Sequence, residues 1–106
     1  MSVSMIENWA FIQGLVQAVS ESQDLAGFDL VDVLVENVEP VEGYPDLIRT
    51  YLDEEDEPRL PVLMPAELVV EYAIETGVLL ECRVRRAGFD RVFVHREYVT
   101  VHRPSS

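Results

Sequence analysis

Two runs near the end of the chain leave it few ways to fold. Between residues 80 and 85, apolar and charged side chains alternate one by one: Leu80, Cys82 and Val84 against Glu81, Arg83 and Arg85. Between residues 91 and 95 the alternation resumes, Val92 and Val94 against Arg91, Phe93 and His95. Ala87-Gly88-Phe89-Asp90 lies between them and has the composition of a turn. A period of two sends successive side chains to opposite sides of an extended backbone, so both runs read as half-buried strands of one hairpin. Tyr98 to His102 reads as a last strand segment. Residues 28–38 repeat the pattern, with Val31, Val33 and Val35 on one face and Asp32 and Glu36 on the other. The core is therefore a sheet with one wet side.

Other spacings predict helix. Ser4 and Glu7 form an S-x-x-E capping box, and Met5, Trp9, Ile12, Val16 and Val19 follow at steps of four and three. This places an amphipathic helix in residues 1–24, its broad apolar face packed on the core or shared with a second copy through Met5, Trp9, Ile12 and Val16. Pro65 suits a first helical turn and Gly77 a C-terminal cap, which predicts a second helix over 65–76. Leu68, Val69, Tyr72 and Ala73 line its buried side, and Glu67, Glu71 and Glu75 stack on a side open to water. Residues 46–52 fit either a short helix capped by Asp46 or a strand. Residues 60–64 form a short apolar strand that Pro61 consigns to an edge or a bulge. The fold expected is α+β, one domain over residues 1–106. An N-terminal amphipathic helix packs on a small, mostly antiparallel β-barrel or sheet over 28–103, with one inserted helix. A helix between the third and fourth strands is the order of an OB-like barrel.

With 106 residues the chain has room for one core. Its single cysteine, Cys82, rules out an intrachain disulfide and fits a reducing compartment. The first residues lack the basic start of a signal peptide, and no apolar run approaches the roughly 18 residues of a membrane helix. The cytoplasm is the expected location.

Charge supplies the functional clue. Twenty acids against eight basic residues give −12, and every basic residue is arginine. Residues 1–82 hold eighteen acids and two arginines, −16; residues 83–106 hold six arginines and two acids, +4. An acidic body with a basic end suggests recognition by charge. The leading expectation is a small non-enzymatic binding or regulatory module. It would engage a basic protein through an acidic face of Asp53, Glu54, Glu55, Asp56, Glu57, Glu67, Glu71 and Glu75. The alternative is an OB-like nucleic-acid binder using Arg83, Arg85, Arg91, Phe93 and His95, where guanidinium groups hold phosphates and rings stack on bases. A third reading is a structural subunit that dimerises through the first helix.

Enzyme chemistry finds little support in the residues. The serines sit at the termini and in a connector, away from any elbow that would activate them. The five glycines form no phosphate-cradling cluster. Cys82, His95 and His102 match no zinc spacing, and the odd separation of the two histidines predicts opposite faces of one strand. The acidic run 53–57 lacks the spaced ligands and central glycine of a calcium loop. No metal, cofactor or membrane contact is expected.

Overall fold

The residues expected to wind into the N-terminal helix form a strand instead. The computed structural model describes residues 7–53, 58–87 and 91–103. In it β1 spans Ala10–Glu21, and no N-terminal helix is present among the described residues. Ala10, Ile12, Gly14 and Val16 point inward, while Phe11, Gln13, Leu15 and Gln17 lie half-buried on the other side. Ile12 and Val16 are four apart, a separation that satisfies both a helical stripe and a period of two. Tertiary pairing decides between them; β-branched side chains favour the extended backbone, and a glycine in mid-run weakens the helix. The self-associating helical face is thereby dissolved. Ile12 and Val16 are 0% and 1% exposed inside the core, and Met5 lies outside the described residues.

Gly14 is needed for a closer reason than chain freedom. The register between β1 and β2 slips at Gln13/Gly14, and a Cβ on Gly14 would stand 2.3 Å from the Leu34 carbonyl oxygen. Only a residue without a side chain lets the two backbones meet at this bulge.

The remaining strands are β2 (Phe28–Pro40), β3 (Arg59–Pro65), β4 (Leu79–Ala87) and β5 (Arg91–His102). Together with β1 they make a mixed sheet that closes into a ring in the order β1-β2-β3-β5-β4. The closure stops short of a true barrel. β3 and β5 run parallel and meet at a single bridge, Leu63 with Phe93. Pro61 sits along this thin seam, where its missing N–H costs the ladder least. Inside the ring Val31, Val33, Leu60, Val62, Met64, Leu80, Val84 and Val92 are fully buried. Burying each such side chain contributes about 1.5–3 kcal/mol before entropy is counted.

Two short helices plug the sheet. α1 (Leu47–Asp53) resolves the ambiguity of residues 46–52. The Asp46 carboxylate accepts the N–H groups of Ile48 and Arg49 at 3.1 and 3.0 Å, and Ile48 is fully buried. α2 (Ala66–Glu71) is half the length expected for residues 65–76. It stops early because Ala73 turns left-handed, at φ 49°. The Ile74 N–H then bonds the Val69 carbonyl at 2.9 Å and the Ala73 N–H bonds that of Val70 at 3.1 Å. These two bonds close the helix as a glycine would. Gly77, expected as the cap, turns the chain into β4 instead, at φ 97°. Among the described residues no helix is long and apolar enough to cross a membrane.

Candidate functional site

Strand β5 is not a plain continuation of the hairpin. Val94 pairs with Val84 and Val99 with Cys82. One residue of β4, Arg83, therefore faces four of β5: His95, Arg96, Glu97 and Tyr98. A bulge of this kind bends the strand and re-aims its side chains. It also shifts parity, since Val92 and Val99 both face the interior and are buried although seven positions separate them. His95 and His102 accordingly share the outer face, against the expectation from their odd spacing.

The bulge assembles a row of rings on the outside of the sheet. His95 stacks at 4.8 Å on Trp9 and at 4.7 Å on Tyr98, centroid to centroid. Its Nδ1 accepts the Glu97 N–H at 3.2 Å, which fixes the ring. The Arg83 guanidinium lies over Tyr98, 3.8 Å from the ring centroid, and that of Arg85 lies 5.9 Å from the centroid of Trp9. Further along, Phe93 meets Phe28 edge to face at 5.9 Å. Trp9, Phe28, Pro65, Arg85 and Phe93 line a shallow open groove of about 510 Å³ beside the row.

Trp9 reaches this face because Asn8 holds the arm before β1. The buried Asn8 amide donates to the Arg86 carbonyl at 2.9 Å and accepts the Arg86 N–H at 2.8 Å. A side chain thus extends the β1–β4 ladder, whose last backbone pair is Ala10 with Val84. The Trp9 indole N–H in turn donates to Glu7 at 3.4 Å.

Six of the eight arginines fall into two groups. Arg49 lies 3.6 Å from Asp46, Arg59 3.5 Å from Asp32 and Arg103 3.4 Å from Glu75, and Arg96 pairs with Glu67. Arg83 and Arg85 have no carboxylate within 4 Å among the described residues and rest on rings instead. Arg91 is exposed but stands apart, beside Leu25, Leu30 and Leu63 at the β1–β2 end. Of the residues proposed for the basic hairpin, Arg83, Arg85, Phe93 and His95 come together; Arg91 does not.

The expected acidic face is less coherent. Glu67 is on α2 and Glu71 ends it, but Glu75 falls beyond the helix, so the three do not form one stack. Arg96 covers Glu67. Arg103 covers Glu75 and also donates to the Tyr72 and Ala73 carbonyls at 3.5 and 3.2 Å. Asp53 is the last residue of α1, and Glu54, Glu55, Asp56 and Glu57 lie outside the described residues.

Burial pushes the Cys82 thiol up to about 12, which removes the thiolate on which its reactivity depends. His102 is engaged with Glu81 at 3.2 Å. Among the described residues no three His, Cys, Asp or Glu side chains converge as a metal site. Sequence reasoning assigned Trp9 to a helix and left out Phe28 and Tyr98. The signal for Tyr98 lay in its closeness to His95, but only the bulge brings the two rings together.

Comparison with protein-family models, with curated proteins and with solved structures finds no match for this chain.

Proposed function

We propose that this chain is a non-enzymatic recognition module of OB-like topology that binds a protein partner through its aromatic and arginine face. The order of the ring, with α2 between its third and fourth strands, supports the OB-like reading. One observation carries the function: in a chain with twenty acids, Arg83 and Arg85 lie by aromatic rings, with no carboxylate within 4 Å among the described residues. Tryptophan, tyrosine and arginine are the side chains that dominate binding hot spots, and the two aromatic ones bury large area with little loss of rotamer freedom. The acidic remainder of the body favours a partner whose surface around the contact is basic, and steers it by charge.

Single-stranded nucleic acid is the second reading, favoured by the same stacking of guanidinium on ring. Two features weigh against it. OB-like barrels commonly use the β2–β3 face for oligonucleotides, and here Asp32 and Glu36 occupy the outer side of β2, with Asp32 tied to Arg59. A polyanion also meets repulsion from the −12 body at each added phosphate.

A photo-crosslinking phenylalanine analogue in place of Tyr98, and separately in place of Glu71, tests both readings in nuclease-treated lysate. The protein-binding role expects a discrete adduct from position 98 that disappears when Arg83 and Arg85 are both changed to Gln. An adduct only from position 71 would return the function to the acidic face. Retention of oligothymidylate by the purified chain, with no protein adduct in the lysate, would favour nucleic acid.

A further inference from the structure

The face also specifies what its partner segment must look like. We infer that it takes an extended stretch of polypeptide carrying two carboxylates two residues apart, with an apolar or aromatic side chain turned sideways toward the groove. This rests on the protein-binding role proposed above. Arg83 and Arg85 are alternate residues of β4, so both project outward while Cys82 and Val84 project inward. Alternate residues of a strand are roughly 6.5–7 Å apart. An extended partner has the same repeat and sets its own alternate side chains against that pair.

The Arg83 guanidinium lies close over the Tyr98 ring and that of Arg85 is within cation–π reach of Trp9, and both keep N–H edges for a carboxylate. The surface beside the pair is apolar. Arg85 pairs across the hairpin with Phe93, and Phe93 leads to Phe28 and the groove. Two cations thus lie in line along β4 with rings to their side. A complementary segment sets two carboxylates at alternate positions and turns an apolar group toward β5. β4 already pairs with β1 and β5, so recognition falls to side chains rather than to an added strand.

Charge limits the length of such a segment. Two carboxylates meet two guanidinium groups that have no carboxylate within 4 Å among the described residues. Further negative charges would meet Glu97, exposed beside the site, and the acidic body beyond it. A short acidic motif in an otherwise neutral or basic surround suits the face better than a long anionic tract.

The chain's one tryptophan, Trp9, lies in the site, so its emission is a direct probe. The full chain is titrated with acetyl-Ser-Glu-Thr-Glu-Thr-Phe-Ser-amide, with the peptides in which one or both Glu are Gln, and with oligothymidylate. The expected result is a saturable change in Trp9 emission with the two-carboxylate peptide. Affinity should fall roughly tenfold for each Glu replaced. The response should be lost in the Arg83→Gln/Arg85→Gln variant while its melting temperature stays unchanged. Equal binding of the Glu and Gln peptides would overturn the carboxylate assignment and leave the protein-binding role standing. A response to oligothymidylate and to no peptide would overturn both.

Discussion

The two sides of β4 divide the molecule into regions built on opposite terms. Toward the interior, Leu80, Cys82 and Val84 are sealed among β1, β2 and β3, at 0–1% exposure. Toward solvent, Arg83 and Arg85 lie on Tyr98 and Trp9, whose rings are held in place by a bulge and by one asparagine. The inner side is close-packed, and its residues depend on one another for stability. The outer side is ordered yet contributes little to the core. Charge and aromatic area outside the core are held in place by that bulge and that asparagine, and the contrast is what motivates the binding role proposed above.

Substitutions on each side of β4 test this division. Ile12→Ala, deep in the wall, should cost about 2–5 kcal/mol by equilibrium denaturation. A loss well below that range would mean that the ring collapses easily around the gap. Alkaline stability tests the same seal at Cys82. Its thiol is raised to about 12 in the folded chain from 9.0. The stabilisation is whole below pH 9.0 and drains away as pH rises toward 12, at about 1.4 kcal/mol per pH unit. Cys82→Ala should flatten that slope; an equally steep slope in the variant would assign it to other groups.

Gly14→Ala should destabilise by about 1–3 kcal/mol, because the added methyl meets the Leu34 backbone, which cannot swing aside, as well as the Val33 side chain. Asn8→Ala links the two regions. It leaves the Arg86 backbone groups without the amide they bond, for a cost of about 1–3 kcal/mol. It should also shift Trp9 emission toward that of a solvated indole. A normal melting curve with displaced emission would make Asn8 a positioning residue alone. The smallest effect on stability belongs to the outer face. Arg83→Gln and Arg85→Gln should each change it by less than about 0.5 kcal/mol, and a larger loss would make the face part of the fold.

How far the sequence disclosed all this depended on the range of the interactions involved. The alternation of Leu80, Cys82 and Val84 is local and predicted β4 and its facing correctly, as Val31, Val33 and Val35 did for β2. Asp46 offered a cap, and long-range burial of Ile48 chose helix over strand. β1 misled because Ile12 and Val16 fit two periods at once, and only partners far along the chain choose between them. The α2 boundary was missed because Ala73 adopts a backbone conformation usually left to glycine. Arg83, Arg85, Phe93 and His95 were legible as one outer face by parity. Trp9 and Phe28 joined it through contacts across the ring, which periodicity does not encode.

The clasp between Asn8 and Arg86 joins positions 78 residues apart, and β1 has β2 on one flank and β4 on the other. As the chain leaves the ribosome, β1 and β2 emerge first and can pair at once. The far flank of β1 must then wait, its hydrogen-bonding groups unmet, until β4 has been translated. For most of that interval the nascent hairpin offers a free edge and an uncovered apolar side, the conditions under which chains find one another instead of themselves. Closure comes late and links distant segments, so folding should be slow for a domain of this size. The cell's means of shielding unfinished chains therefore bears on how much of this protein matures.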